Sequence, residues 1–147
     1  MGEMRNNLAC IATWMEENGY GTINPKGVII MVQNPDMNSE LMEIKIGLYF
    51  SEWALSLLAY APIMLEKNRQ IPRILNQMNL SEADGQFQYE EDGSLLWSCR
   101  IMLPENGIGN EVLNKALEIG CRNAGRLYAT FMNMDADDMD MTNEQEG

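Results

Sequence analysis

The sequence predicts an α+β fold: an antiparallel sheet of about five strands with three helices. Three observations predict it. Apolar residues alternate strictly between Leu41 and Phe50, a second alternating pair of segments flanks the turn Asp92-Gly93, and helical spacing of apolar residues marks both ends and one middle segment. Strands that follow one another in hairpin order, with helices kept apart from them, give an antiparallel sheet with helices packed on it.

The first helix is read from Met4, Leu8, Ile11 and Met15, one stripe at spacings of four, three and four, with Trp14 beside it. Asn18-Gly19 follows the stripe and supplies a left-handed stop. A turn-rich passage from Gly21 to Gly27 holds Asn24-Pro25. Gly27 to Val32 is then a β-branched run read as a strand, closed by Asn34-Pro35-Asp36.

From Leu41 to Phe50 the even positions Met42, Ile44, Ile46, Leu48 and Phe50 are apolar, as in a strand with one face on a core. Trp53 to Ala61 carries two signals. Its Ala, Leu and Glu content suits a helix capped by Ser51, while Trp53, Leu55, Leu57, Ala59 and Ala61 alternate as in a returning strand. Strand is the expectation.

Lys67 to Asn79 reads as a second helix, with Pro72 in its first turn and Ile71, Ile74, Leu75 and Met78 as the buried stripe. A hairpin follows: Gln86 to Glu90 with Phe87 and Tyr89 on one face, the turn at Asp92-Gly93, then Ser94 to Leu103 with Leu95, Trp97, Cys99, Ile101 and Leu103 inward. The last helix is expected from Asn110 to Met132, its apolar face made by Leu113, Leu117, Ala124, Leu127, Tyr128 and Phe131. Residues 1–133 are thus expected to form a single α+β domain and 134–147 an acidic tail without periodicity.

Composition narrows the function. The 147 residues are 46% hydrophobic, enough for one sizeable core. The longest apolar run, Leu57 to Leu65 with Pro62 inside it, is far short of the roughly 20 residues that cross a bilayer. The first residues lack a basic segment leading into an apolar one, and Asn6 stands where myristoylation wants Ser or Thr. Cys10, Cys99 and Cys121 form no pairable set and read as free thiols of a reducing compartment, so the chain is expected to be cytoplasmic. A net charge of −12 argues against nucleic acid and favours basic partners. There is no histidine, which removes the commonest general base and metal ligand. No enzyme and no cofactor are expected.

Several patterns invite chemistry and have plainer readings. Asp135 to Asp140, with Glu146 at the twelfth position, imitates a calcium loop, but Asp140 stands where the turn needs glycine. Arg122 and Arg126, one helical turn apart, and the cluster Lys67, Arg69 and Arg73 suggest an anion site or simple pairing with carboxylates, the latter favoured. Asn106-Gly107-Ile108-Gly109 lacks the spacing and lysine of a phosphate loop. Glu90-Glu91 at a hairpin tip are too exposed for acid-base work. More telling is the sheet's other face, where Leu41, Tyr49, Leu58, Tyr60, Leu96 and Met102 point away from the core. A solvent-facing side should be more polar, so either a helix of the chain or a partner covers it. Thirteen methionines suit an adaptable surface, and also a core.

Ile71-Pro72-Arg73-Ile74-Leu75-Asn76-Gln77-Met78-Asn79, then Gly85-Gln86-Phe87, Asp92-Gly93-Ser94-Leu95 and a final helix ending in Leu127-Tyr128, form a pattern over residues 4 to 132. It resembles the YbjN-type family of bacterial sensory transduction regulators, which is similar in fold to type III secretion chaperones. The resemblance implies a small acidic homodimer with the order α-β-β-β-α-β-β-α and no catalytic residues. Its chaperone relatives hold a non-globular stretch of a secreted partner. The Met-rich acidic tail and Pro72 depart from the pattern. The expected function is therefore a non-catalytic protein-binding module, chaperone-like or regulatory. The alternatives are a small-ligand or metal-sensing domain, or an acidic inhibitor of a basic protein.

Overall fold

The computed structural model describes residues 2–21, 27–34, 42–51 and 53–134. Helix α1, Gly2–Glu17, is followed by β1, Gly27–Asn34, β2, Met42–Phe50, and β3, Ala54–Met64. Helix α2, Gln70–Leu80, leads to β4, Gln86–Tyr89, and β5, Ser94–Met102, before α3, Asn110–Met134. The expected α+β order holds, and the five strands form one antiparallel sheet in the order β1-β2-β3-β5-β4. Leu41, the turns at 24–25 and 35–36 and the 135–147 segment with its calcium-like pattern lie outside the described residues.

Local chemistry sets the boundaries. α1 stops where Gly19 takes a φ of +73°, a left-handed geometry that costs glycine least. The ambiguous segment is a strand because Ser51 caps a hairpin: its Oγ accepts the Ala54 N–H at 3.1 Å. One expectation fails here. Trp53 precedes the strand and is 62% exposed, so it does not share the inward row with Leu55, Leu57, Ala59 and Ala61. Pro62 falls in an irregular stretch between Tyr60 and Met64 where the β3–β5 register shifts, which is where a residue without an N–H is tolerated.

At α2, the Asn68 side chain accepts the N–H groups of Gln70 and Ile71 at 2.8 and 3.2 Å, three residues later than the predicted start. Pro72 is the third helical residue, where an N–H would lack an intrahelical acceptor anyway. At the hairpin tip, Gly93 has a φ of +96° and Asp92 Oδ1 accepts the Ser94 N–H at 2.9 Å.

Sheet register shows where the core sits. Ile30 pairs with Ile46, Ile46 with Ala59, Ala59 with Trp97 and Trp97 with Phe87, one row across all five strands. These side chains share a single buried cluster with Ile11, Trp14 and Met15 of α1, Ile71 and Leu75 of α2, and Leu113, Leu117, Ala124, Leu127 and Phe131 of α3. All three helices therefore lie on one face of the sheet. Gly120 lets α3 come close, since a Cβ there would stand 3.0 Å from Leu57. Trp14 and Trp97 are both buried, but only Trp14 has an acceptor for its indole, Asn114 Oδ1 at 2.7 Å.

Candidate binding face

Because side chains alternate, placing the core row on the helix side fixes what lies on the other. The open face presents Ile29 and Met31 from β1, Glu43, Lys45 and Tyr49 from β2, and Ser56, Leu58 and Tyr60 from β3. From β5 and β4 come Leu96, Ser98, Arg100, Met102, Gln86 and Gln88. No helix among the described residues covers it. Tyr49, Leu58, Tyr60, Leu96 and Met102, five of the six residues singled out in the sequence, share this face; Leu41 lies outside the described residues.

The five are not equivalent. Met102 is 68% exposed and Tyr49 is also exposed, while Leu58 and Tyr60 are half-buried. Leu96 is a correction: it stands on the expected side but is only 1% exposed, between Tyr60 on one neighbouring strand and Gln88 on the other. It cannot touch a partner unless those two move. Tyr49 lies flat over the sheet, where Gly47 leaves room: a Cβ on Gly47 would meet the Tyr49 ring at 2.7 Å.

The middle of the face is polar, which the sequence reading undercounted. Ser56, Ser98, Arg100, Gln86 and Gln88 line a shallow basin of about 540 Å³ with Leu58 and Asp84. Ser98 Oγ donates to Gln88 Oε1 at 3.3 Å. At one end, Lys45 lies over the Tyr60 ring at 4.3 Å. Burial and the Glu90 carboxylate to which it is hydrogen-bonded push the Tyr60 phenol up to about 12. Glu90 is thus tied to a tyrosine.

Past Ser98, toward Met102, the strand pairing is incomplete. β4 pairs with β5 only from Leu95 to Ser98, so among the described residues no strand pairs with the last part of β5 on that side. Ser94 O accepts the Glu90 N–H, which places the main-chain groups of even-numbered β5 residues toward β4. Arg100 and Met102 therefore offer free main-chain N–H and C=O groups. Beside them runs an apolar groove of about 390 Å³, between Trp97, Ile101 and the α3 residues Val112, Ala116 and Ile119. Val112 is exposed at its rim, on the helix side of the sheet. The Trp97 indole N–H is buried without an acceptor at its base.

Trp53 and Val112 escaped sequence reasoning for separate reasons. Trp53 fitted the alternation of a strand that starts one residue after it, and Val112 lies off the helical stripe that marks the core. Ile29 and Met31 escaped because Gly27 to Val32 is apolar almost throughout, so only pairing with β2 reveals which side each residue faces.

The arginine pair of the last helix and the glycine-rich stretch before it resolve into structure. Arg122 pairs with Glu118 at 3.2 Å, and Arg126 reaches Glu82 at 3.8 Å while lying over the Phe87 ring. Gly107, at a φ of +95°, comes so close to Cys10 that a Cβ would stand 2.8 Å from its sulfur, and Ile108 is buried: a helix start packed on α1. Among the described residues no group of three Cys, Asp or Glu lies close enough to hold a metal ion, and no helix is long and apolar enough to cross a membrane. No family model matches the chain, and a search of curated proteins returns no match.

Proposed function

We propose that this chain is a non-catalytic protein-binding module, chaperone-like or regulatory, that works as a homodimer and holds an extended segment of a partner protein on the open side of its sheet. One observation carries the reading: all three helices pack on one face, leaving the other with exposed apolar side chains. Exposed apolar side chains that share one face mark an interaction site more often than scattered ones do.

The β5 edge past Ser98 offers the two elements that hold an extended peptide, the second of them on the helix side of that edge. The free main-chain groups of Arg100 and Met102 add a strand, and the groove beside Val112 and Ile119 takes an apolar side chain. With a net charge of −12 the chain attracts basic segments and slows the approach of acidic ones. The resemblance to YbjN-type regulators and secretion chaperones points the same way, and it is the source of the homodimer.

The test uses the chain as bait in an extract of its native host, beside a Leu58→Lys/Met102→Lys variant. A polypeptide held by the first and released by the second is the expected result. The purified complex should then show slowed amide exchange in β3 and β5. Equal capture by both baits, or protection confined to the helical side, defeats the reading.

A further inference from the structure

The groove beside the unpaired part of β5 holds a buried donor that the chain itself leaves without an acceptor. Resting on the reading above, and naming what the groove recognises, we propose that it selects a glutamine of the bound segment. The segment adds to β5 beyond Ser98, and the glutamine amide oxygen accepts the Trp97 indole N–H.

Three observations meet at one place. β4 begins at Gln86, which pairs with Ser98, so the strand space beside Arg100 to Met102 opens at Gly85. Trp97 is 1% exposed, and its Nε1 has no hydrogen-bond partner. A Cβ on Gly85 would stand 2.8 Å from Trp97 Cε2, the ring atom bonded to Nε1. The nitrogen-bearing side of the indole thus lies where β4 stops and β5 runs on alone. All residues lining the groove are among those described. Buried donors are nearly always paired, so one left open at the base of a groove calls for an acceptor from the occupant.

The surroundings decide which acceptor. Ile101, Val112, Ala116 and Ile119 make most of the lining apolar, so the occupant needs an apolar stem. Asp84 and Glu111 stand in the same lining, and Lys115 is engaged by Glu118 at 3.8 Å. A carboxylate entering here meets like charge and loses its hydration. An amide suits both sides, since its oxygen accepts from Trp97 and its NH2 donates to a carboxylate. Reach favours glutamine. In an added strand the residue opposite Ile101 turns to the helix side, as Ile101 does, and lies two residues, about 7 Å, beyond the strand position of Gly85. Two methylenes and an amide suit that span.

Peptides of the frame acetyl-Lys-Val-Thr-X-Thr-Val-Lys-amide, with Gln, Leu or Glu at X, test this on the full chain labelled with nitrogen-15. The chain has three tryptophans and so three indole N–H signals, and that of Trp97 is assigned through contacts to its own backbone and to Gly85. The Gln peptide should move the Trp97 indole proton downfield, together with the Arg100 and Met102 amides. The Leu and Glu peptides should bind about tenfold more weakly and leave the indole in place. Val112→Arg, an exposed change at the groove rim, should remove the preference for Gln. Equal affinity for the Gln and Leu peptides, an indole unmoved by the Gln peptide, no binding of any peptide at millimolar concentration, or a preference that survives Val112→Arg each overturns the proposal. If that variant fails to fold, the wild-type comparison decides alone. The capture comparison is read separately: a partner held through Leu58 and Met102 beside an unmoved indole sinks the glutamine and leaves the binding module standing, whereas no partner and no shift sinks both.

Discussion

Cys99 and Cys121 show what burial does to a single titratable group. Burial pushes both thiols up to about 11, with the Asp84 carboxylate adding to it at Cys99. An unburied thiol lies at 9.0, so the folded chain keeps protons that the unfolded chain gives up between those values. Folded-state values above the unfolded ones mean stability is whole below the ordinary thiol range and falls as pH rises through it. Tyr60 acts in the same direction at still higher pH. The urea midpoint should therefore fall steadily between about pH 8 and pH 10.5, and less steeply in Cys121→Ala, whose pH-independent stability is the reference. A flat profile would show that these thiols are as well solvated as in the unfolded chain. The same burial makes both thiols poor nucleophiles near neutrality.

At the scale of elements, α2 and β4 are joined by Asn79, which satisfies both main-chain groups of Phe87. Asn79→Ala removes a donor and an acceptor from a partly buried strand edge at once. Losses of this kind cost about 1–3 kcal/mol, so a urea titration should show a drop of that order with an unchanged slope. Asn79→Asp, which keeps the acceptor and loses the donor, should fall between the two. No change in either variant would mean that water replaces the asparagine and that the β4 edge is open after all. Asn79 was visible in the sequence as part of a pattern, but its role was not. Which main-chain groups a side chain reaches depends on a strand eight residues further on.

For the whole molecule, the balance between charge and uncovered surface governs association. Two copies carrying −12 each repel over roughly the Debye length, about 8 Å at physiological ionic strength. If apolar contacts hold two copies together, salt weakens the repulsion and leaves the contact intact. Dimerisation should tighten as sodium chloride rises, read from sedimentation at several concentrations. Weakening with salt would mean that ion pairs hold the copies together. Capture of a basic segment on the open face should show the opposite trend.

The element order was legible because its signals are local. Alternation from Met42 to Phe50, the 3.6-residue spacing of α1 and α3 and the Asp92-Gly93 turn each need only a few neighbouring residues. So was the side on which Tyr49, Leu58, Tyr60 and Met102 fall, since alternation fixes sides once one row is buried. Tertiary structure alone decided how much of each remains free: Leu96 is sealed by residues on two other strands, and Trp53 is exposed because the strand begins just after it. It alone also put the three helices on one face and let Asn79 close the β4 edge. Periodicity records which residues avoid water; which surfaces finally meet depends on contacts between segments far apart in the chain, which no local pattern encodes.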